Sequence, residues 1–199
     1  MMEKLIETVK LYNGVFFNVE YHMCRMNKTR HDLYGLENVV NLWSFLQNSD
    51  FPAKGLFKSR ILYSREIEGI EFVKYKKKKI GRIKIINNDE IEYKYKFNNR
   101  NSLDELFKLR GTCDDILIIK DDLVTDTSFC NIIFSGKAGL FTPATPLLRG
   151  TKRQKLLDSK TIKEKRIRRE DIKKFKEVYL INAMLDIKDI VISIEDIIE

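Results

Sequence analysis

One stretch breaks the patterning of this chain: Lys74-Tyr75-Lys76-Lys77-Lys78-Lys79, the sharpest local change of composition along it. A run of like charges repels itself and resists burial, so it reads as a solvated connector between two separately packed parts. That reading sets residues 1–76 as a smaller N-terminal lobe and 77–199 as a larger C-terminal one. The full 199 residues leave room for one large domain or two small ones with a real core.

Within the first part, Leu5 to Leu11 is apolar-rich, Asn13-Gly14 is a turn signal and Val15 to Tyr21 alternates, which predicts a hairpin. Apolar spacings of three and four over Asn27 to Leu33 and Val39 to Leu46 predict helix, broken near Gly35. Pro52 and Gly55 mark a loop, and Ser59 to Ser64 and Glu71 to Tyr75 read as strands. The second part predicts strands at Arg82 to Ile86, Ile91 to Phe97, Ile116 to Ile119, Asn131 to Phe134, Val178 to Ile181 and Val191 to Ile194. Helices are expected at Ser102 to Leu109, with Ser102 and Glu105 as a capping box, at Thr151 to Asp158, and as a short one in Ile167 to Phe175. Strands alternating with helices argue for an α/β or α+β fold in two lobes.

Composition excludes several classes of protein. The chain is 43% hydrophobic and 33% charged, which is too apolar for a disordered polymer. It has no apolar run long enough for a membrane span, nor one at Met1 to Thr8 for a secretory leader. Cys24, Cys113 and Cys130 are odd in number and lack metal-ligand spacing, so no disulfide framework or zinc site follows and the expected compartment is a reducing cytoplasm. His22 and His31 have no ligand-spaced neighbours, so no metal is expected. The net charge of +8 suits anionic ligands as well as nucleic acid. The lysine run lacks interleaved aromatics beyond Tyr75, so no nucleic-acid partner is expected.

Five segments carry chemistry: His22-Met23-Cys24-Arg25-Met26, Lys96-Phe97-Asn98-Asn99-Arg100, Val124-Thr125-Asp126 with Asn131-Ile132-Ile133-Phe134, Gly150-Thr151-Lys152-Arg153, and Leu180-Ile181-Asn182-Ala183-Met184. Their order and spacing resemble the class IV aminotransferase family. These are the fold-type-IV pyridoxal-phosphate enzymes, among them branched-chain and D-amino-acid aminotransferases and aminodeoxychorismate lyase. The Lys-x-x-x-Arg arrangement at Lys96 and Arg100 resembles the lyase branch.

The resemblance implies pyridoxal 5'-phosphate as cofactor, carried on the Lys96 amine, with Arg100 in the same motif. Lys94, two residues away, is the internal rival on a shared strand face. Asp126 stands where the family usually has a glutamate beside the pyridine nitrogen; a turn-capping aspartate is the other reading. Gly150 would let the backbone approach the phosphate, the amides of Thr151 and Lys152 would bind it, and Arg25 would pair with it. Asn182 would lie in a loop near the same group. His22 and Asn131 are expected to be structural.

The resemblance further implies a homodimer acting on a small amino-acid-like substrate. The first choice of reaction is β-elimination of pyruvate from 4-amino-4-deoxychorismate to give 4-aminobenzoate for folate synthesis. A branched-chain or D-amino-acid aminotransferase is the alternative, and a silent PLP- or anion-binding relative the second. Family members also carry an extra strand pair before the segment matched by Ile6-Glu7-Thr8, so a shortened first lobe is expected, with Lys10 where the lyase branch often has arginine.

Overall fold

A computed structural model describes residues 3–199 of the protein. Met1 and Met2, which open the stretch read for a leader, lie outside the described residues. The chain divides into two compact units, Met1–Lys77 with Tyr95–Asn99, and Lys78–Lys94 with Arg100–Glu199. The first division falls inside the lysine run. Tyr95–Asn99, however, packs with the first unit, whereas a single cut there assigns it to the second.

The first unit is a four-stranded antiparallel sheet in the order β2-β1-β3-β4, built from β1 (Leu5–Tyr12), β2 (Val15–Phe17), β3 (Leu56–Tyr63) and β4 (Ile67–Lys74). Asn13 and Gly14 both have positive φ, 47° and 78°, which is the backbone a two-residue hairpin turn demands. Asn18 then takes a left-handed conformation, which ends β2 and starts helix α1 (Val19–Tyr34). The expected alternation up to Tyr21 therefore stops early, and the helix begins before Asn27. Gly35, with φ 64°, closes α1 by donating its N–H to His31 O. Helix α2 (Leu42–Gln47) is short and capped by the Asn41 side chain. Leu5, Val9 and Leu11 of β1 and Ile61 and Tyr63 of β3 form one core with Val19, Met26, Leu42 and Leu46 of the helices.

β3 pairs with β1 along all eight residues of that strand, and β2 takes its other edge only from Lys10 onward. The vacant stretch of that second edge accepts the returning chain. Ile6 N–H donates to Lys96 O at 2.9 Å, Asn98 N–H donates to Lys4 O at 2.8 Å, and Leu5 bridges Phe97. Ile91 to Phe97 is therefore not a strand, which corrects the expectation. Edge space exists for residues 96–98 alone, and upstream Ile91 O is satisfied by Lys120 Nζ instead of a ladder partner.

The second unit carries two sheets. One, in the order β13-β5-β6-β7, comprises β5 (Ile83–Asn87), β6 (Asp115–Lys120), β7 (Leu123–Thr127) and the terminal β13 (Ile197–Ile198). The other, β10-β9-β8-β11-β12, comprises β8 (Asn131–Gly136), β9 (Gly139–Pro143), β10 (Lys163–Lys165), β11 (Glu177–Ile181) and β12 (Val191–Ser193). Leu117, Ile119 and Val124 of the first sheet share a core with Ile132, Phe134, Val178 and Leu180 of the second. Helices α3 (Asn101–Lys108) and α4 (Thr151–Asp158) and 3₁₀ turns at Arg169–Lys174 and Ile194–Asp196 complete the unit. The Ser102–Glu105 capping box does not form. The helix starts at Asn101, so Ser102 lies inside it, and Glu105 pairs with Lys108. The result is a mixed α+β fold with three sheets and few helices. Among the described residues no helix is long and apolar enough to cross a membrane.

Candidate active site

In the first unit, β1 and α1 bring three functional side chains together. Strand alternation puts Glu7 in phase with the core residues Leu5 and Val9, so its carboxylate is fully buried. Residues 22 and 25 lie on neighbouring positions of one face of α1, and both reach it. Arg25 Nε donates to Glu7 Oε1 at 2.8 Å, and Arg25 Nη2 donates to Oε2 at 2.6 Å. His22 Nδ1 lies 2.6 Å from the same Oε2. Burial alone would raise the Glu7 pKa. The Arg25 charge and the hydrogen bonds from His22 and Arg25 overcome it and hold Glu7 at about 2. With the carboxylate ionised, His22 Nδ1 must carry the hydrogen. Burial pushes the His22 pKa down against the pull of Glu7, and the charges of Arg25 and Lys96 push the same way.

Lys96 is half-buried, its backbone carbonyl fixed to Ile6 beside Glu7. Lys94 is exposed and packs with the second unit. Neither lysine lies in a strand, so strand alternation does not set their relative direction. Lys96 belongs to the same unit as Arg25, and Asp126 belongs to the other.

In the second unit, Asp126 lies on β7, a strand buried at every position. Asn131, the first residue of β8, is also buried. Its Nδ2 donates to Asp126 Oδ1 at 2.7 Å and to Leu148 O at 2.9 Å, and Leu148 N–H donates to Asp126 Oδ2 at 3.0 Å. Burial raises the Asp126 pKa to about 6, and the hydrogen bonds from Leu148 and Asn131 and the Arg153 charge limit the rise. Gly150 ends the loop as the N-cap of α4 with φ −69°, so its backbone does not need glycine. Space does: a Cβ there would lie 1.9 Å from Asn131 Oδ1. Asp126, Asn131 and the 148–150 turn form one braced assembly.

Thr151 and Lys152 open the first turn of α4, where backbone N–H groups have no partner within the helix. The Lys152 side chain turns to Asp186. Arg153 is almost wholly buried. Its Nη2 donates to Pro143 O at 2.9 Å and Glu164 Oε1 at 2.6 Å, while Nε and Nη1 have no hydrogen-bond partner among the described residues.

Asn182 forms the turn after β11. Its Oδ1 accepts from the Met184 and Leu185 N–H groups, and its Nδ2 points to Phe129 O and Cys130 Sγ. Arg100 caps α3, and its Nη2 donates to Ser128 O at 2.7 Å. Asn182 thus holds backbone and the Cys130 thiol, whereas the buried Arg100 Nε has no hydrogen-bond partner among the described residues. Sequence reasoning missed Glu7 and treated Arg153 only as part of a turn. The signal for Glu7 was available as a carboxylate in the apolar phase of a strand.

Comparison with known proteins bears on these clusters. The profile of the amino-transferase class IV family matches residues 4–191. The chain belongs to the class IV aminotransferase family. An uncharacterised protein of Haemophilus influenzae is 38% identical over 185 residues, covering 92% of this chain and 98% of its own. The crystal structure of a Haemophilus somnus 129PT protein named "putative 4-amino-4-deoxychorismate lyase" is 32% identical, with a TM-score of 0.84 over 92% of this chain and 97% of that one. A hypothetical aminotransferase from Mycobacterium tuberculosis, in a PLP-bound form, has a TM-score of 0.71 over 92% of this chain and 78% of that one. At 16% identity that likeness is one of fold alone. The fold is that of the fold-type-IV PLP enzymes.

Class IV aminotransferases use pyridoxal phosphate, and the donor sets present in this family member fit that group. An aldehyde needs an amine, and Lys96 is one. A phosphate needs N–H donors and positive charge, and the α4 start offers backbone amides beside a buried Arg153 with two nitrogens unpartnered among the described residues. A pyridine nitrogen needs a buried acceptor that can share a proton, and Asp126, with a pKa near 6, has that character.

Proposed function

We propose that the protein is a PLP-dependent lyase that removes pyruvate from 4-amino-4-deoxychorismate and leaves 4-aminobenzoate. The observation that carries the cofactor part of this reading is the Asp126–Asn131–Gly150 assembly, in which one amide side chain ties a buried carboxylate to a helix N-terminus. The choice of reaction is supported by the Lys96–Arg100 spacing and by the name of the Haemophilus somnus relative.

Lys96 holds the cofactor through its side-chain amine. Arg25, Gly150 and the Thr151 and Lys152 amides bind the phosphate, with Asn182 and Arg100 holding the surrounding backbone. Pyridoxal phosphate, when bound, supplies an electron-withdrawing ring that stabilises negative charge at a substrate carbon. Asp126 keeps a proton on the ring nitrogen, which makes that withdrawal effective. With the substrate in place, the Lys96 amine would take the α-proton as general base. Lys96 is half-buried in the same unit as the Glu7–His22–Arg25 cluster, and its charge reaches His22.

The same reading takes the protein as a homodimer in a reducing cytoplasm; the three free thiols, Cys24, Cys113 and Cys130, are compatible with that compartment. Feeding 4-amino-4-deoxychorismate to the PLP-loaded protein tests the reaction. The expected products are 4-aminobenzoate and pyruvate in equal amounts. A keto acid formed only with an amino acceptor would assign an aminotransferase instead. PLP binding without turnover of either substrate class would assign a silent relative.

A further inference from the structure

Glu7 has no part in the chemistry above, yet its carboxylate is wholly enclosed in the first unit. A carboxylate in an apolar layer persists only when its charge and lone pairs are matched. Here the match is close. The Nε and Nη2 edge of Arg25 lies along the two oxygens in a fork, at 2.8 and 2.6 Å, and His22 Nδ1 braces Oε2 at 2.6 Å. Two parallel bonds fix the plane of a guanidinium as well as its position. The Arg25 side chain keeps 16% of its surface exposed, against none for Glu7 and 1% for His22. The arginine therefore spans from a rigid interior anchor to the surface of the unit. Glu7 also cancels the Arg25 charge, so what the pair offers an anion is direction more than attraction.

We infer that Glu7 is a positioning residue: with His22 behind it, it fixes Arg25 in the one orientation in which the guanidinium takes the phosphate of pyridoxal phosphate. The inference rests on the assignment of Arg25 to the phosphate made above. An arginine locked beforehand loses little rotamer freedom on binding, which is how the anchor contributes affinity.

Titration with pyridoxal phosphate and with pyridoxal, which lacks the phosphate, tests this. In Glu7→Gln the Kd for pyridoxal phosphate should rise about tenfold to a hundredfold while that for pyridoxal stays within about twofold. Arg25→Gln should show the same selective loss, and adding Glu7→Gln to it should cause no further selective loss. Equal losses for both ligands, no loss in a folded Glu7→Gln protein, or additive losses in the double variant would overturn the inference. Should Glu7→Gln not fold, Glu7→Asp keeps the charge and shifts the fork. It should lose pyridoxal phosphate selectively but by less, and an unselective loss would overturn the inference there too. Failure of the parent protein to bind either ligand would remove the proposed function itself. Normal parent binding with unselective variants would remove only the role of Glu7.

Discussion

Asn131 and Gly150 are so closely set that a single methyl group on the glycine would come within 1.9 Å of the asparagine Oδ1. The same asparagine holds Asp126 and Leu148, so the contact couples the carboxylate to the start of α4. Gly150→Ala should therefore cost about 1–3 kcal/mol of stability and weaken PLP binding, because Asn131 must leave its place. Asn131→Ala in the Gly150→Ala background should recover most of the stability. Thermal melts and PLP titrations of the four proteins check this. A Gly150→Ala variant that behaves like the parent would contradict the brace.

Asp126 should titrate near pH 6 in the cofactor-free protein, observable as the midpoint of its side-chain carboxyl shift in carbon-13 NMR. Its folded pKa lies above the unfolded value, so the proton is held more tightly in the native state. Stability from this group is complete below about pH 4 and is lost as pH rises through about 6, roughly 3 kcal/mol in all. Asn131→Ala removes a donor to the ionised form and should move the midpoint higher. A midpoint near 4 would contradict the burial argument.

Glu7 has the opposite sign. Its folded pKa is depressed from 4.5 to about 2, so its contribution is complete above about pH 4.5 and disappears as pH falls towards 2. The stability difference between the parent and Glu7→Gln should therefore shrink by roughly 3 kcal/mol over that range. Urea unfolding at a series of pH values measures it. A difference independent of pH would show that Glu7 is not held ionised.

Lys152 is assigned through its backbone N–H, not its ammonium group, which pairs with a half-exposed Asp186. Lys152→Met should therefore change PLP affinity by less than about threefold and stability by less than about 1 kcal/mol. A loss of tenfold or more in PLP affinity would place the side-chain charge on the phosphate.

Much of the frame was legible in the sequence because local chemistry forced it. Asn13-Gly14 makes a turn with positive φ, and Gly35 closes its helix the same way. The lysine run stood out because no other stretch was as hard to bury, but it did not show that residues 95–99 return to the first unit. Ile91 to Phe97 misled because alternation reports a face, not a partner. Ile91 and Tyr93 are buried, yet only residues 96–98 find a free strand edge. That edge depends on β2 being three residues long, which no local signal sets. The motif residues could be named by resemblance, but the side chains that hold them could not. Glu7 is defined by a helix 15 residues away, and Asn131 by a loop 17 residues on. Such pairings arise only when the chain has folded.

In the proposed enzyme the Lys96 amine carries pyridoxal phosphate. Protein incubated with PLP, reduced with borohydride and digested should show the pyridoxyl group on the peptide containing Lys96, with fragmentation placing it on that residue. Lys94→Ala should keep the label and Lys96→Ala should lose it. A stoichiometric label on exposed Lys94, or none on either lysine, would contradict the account.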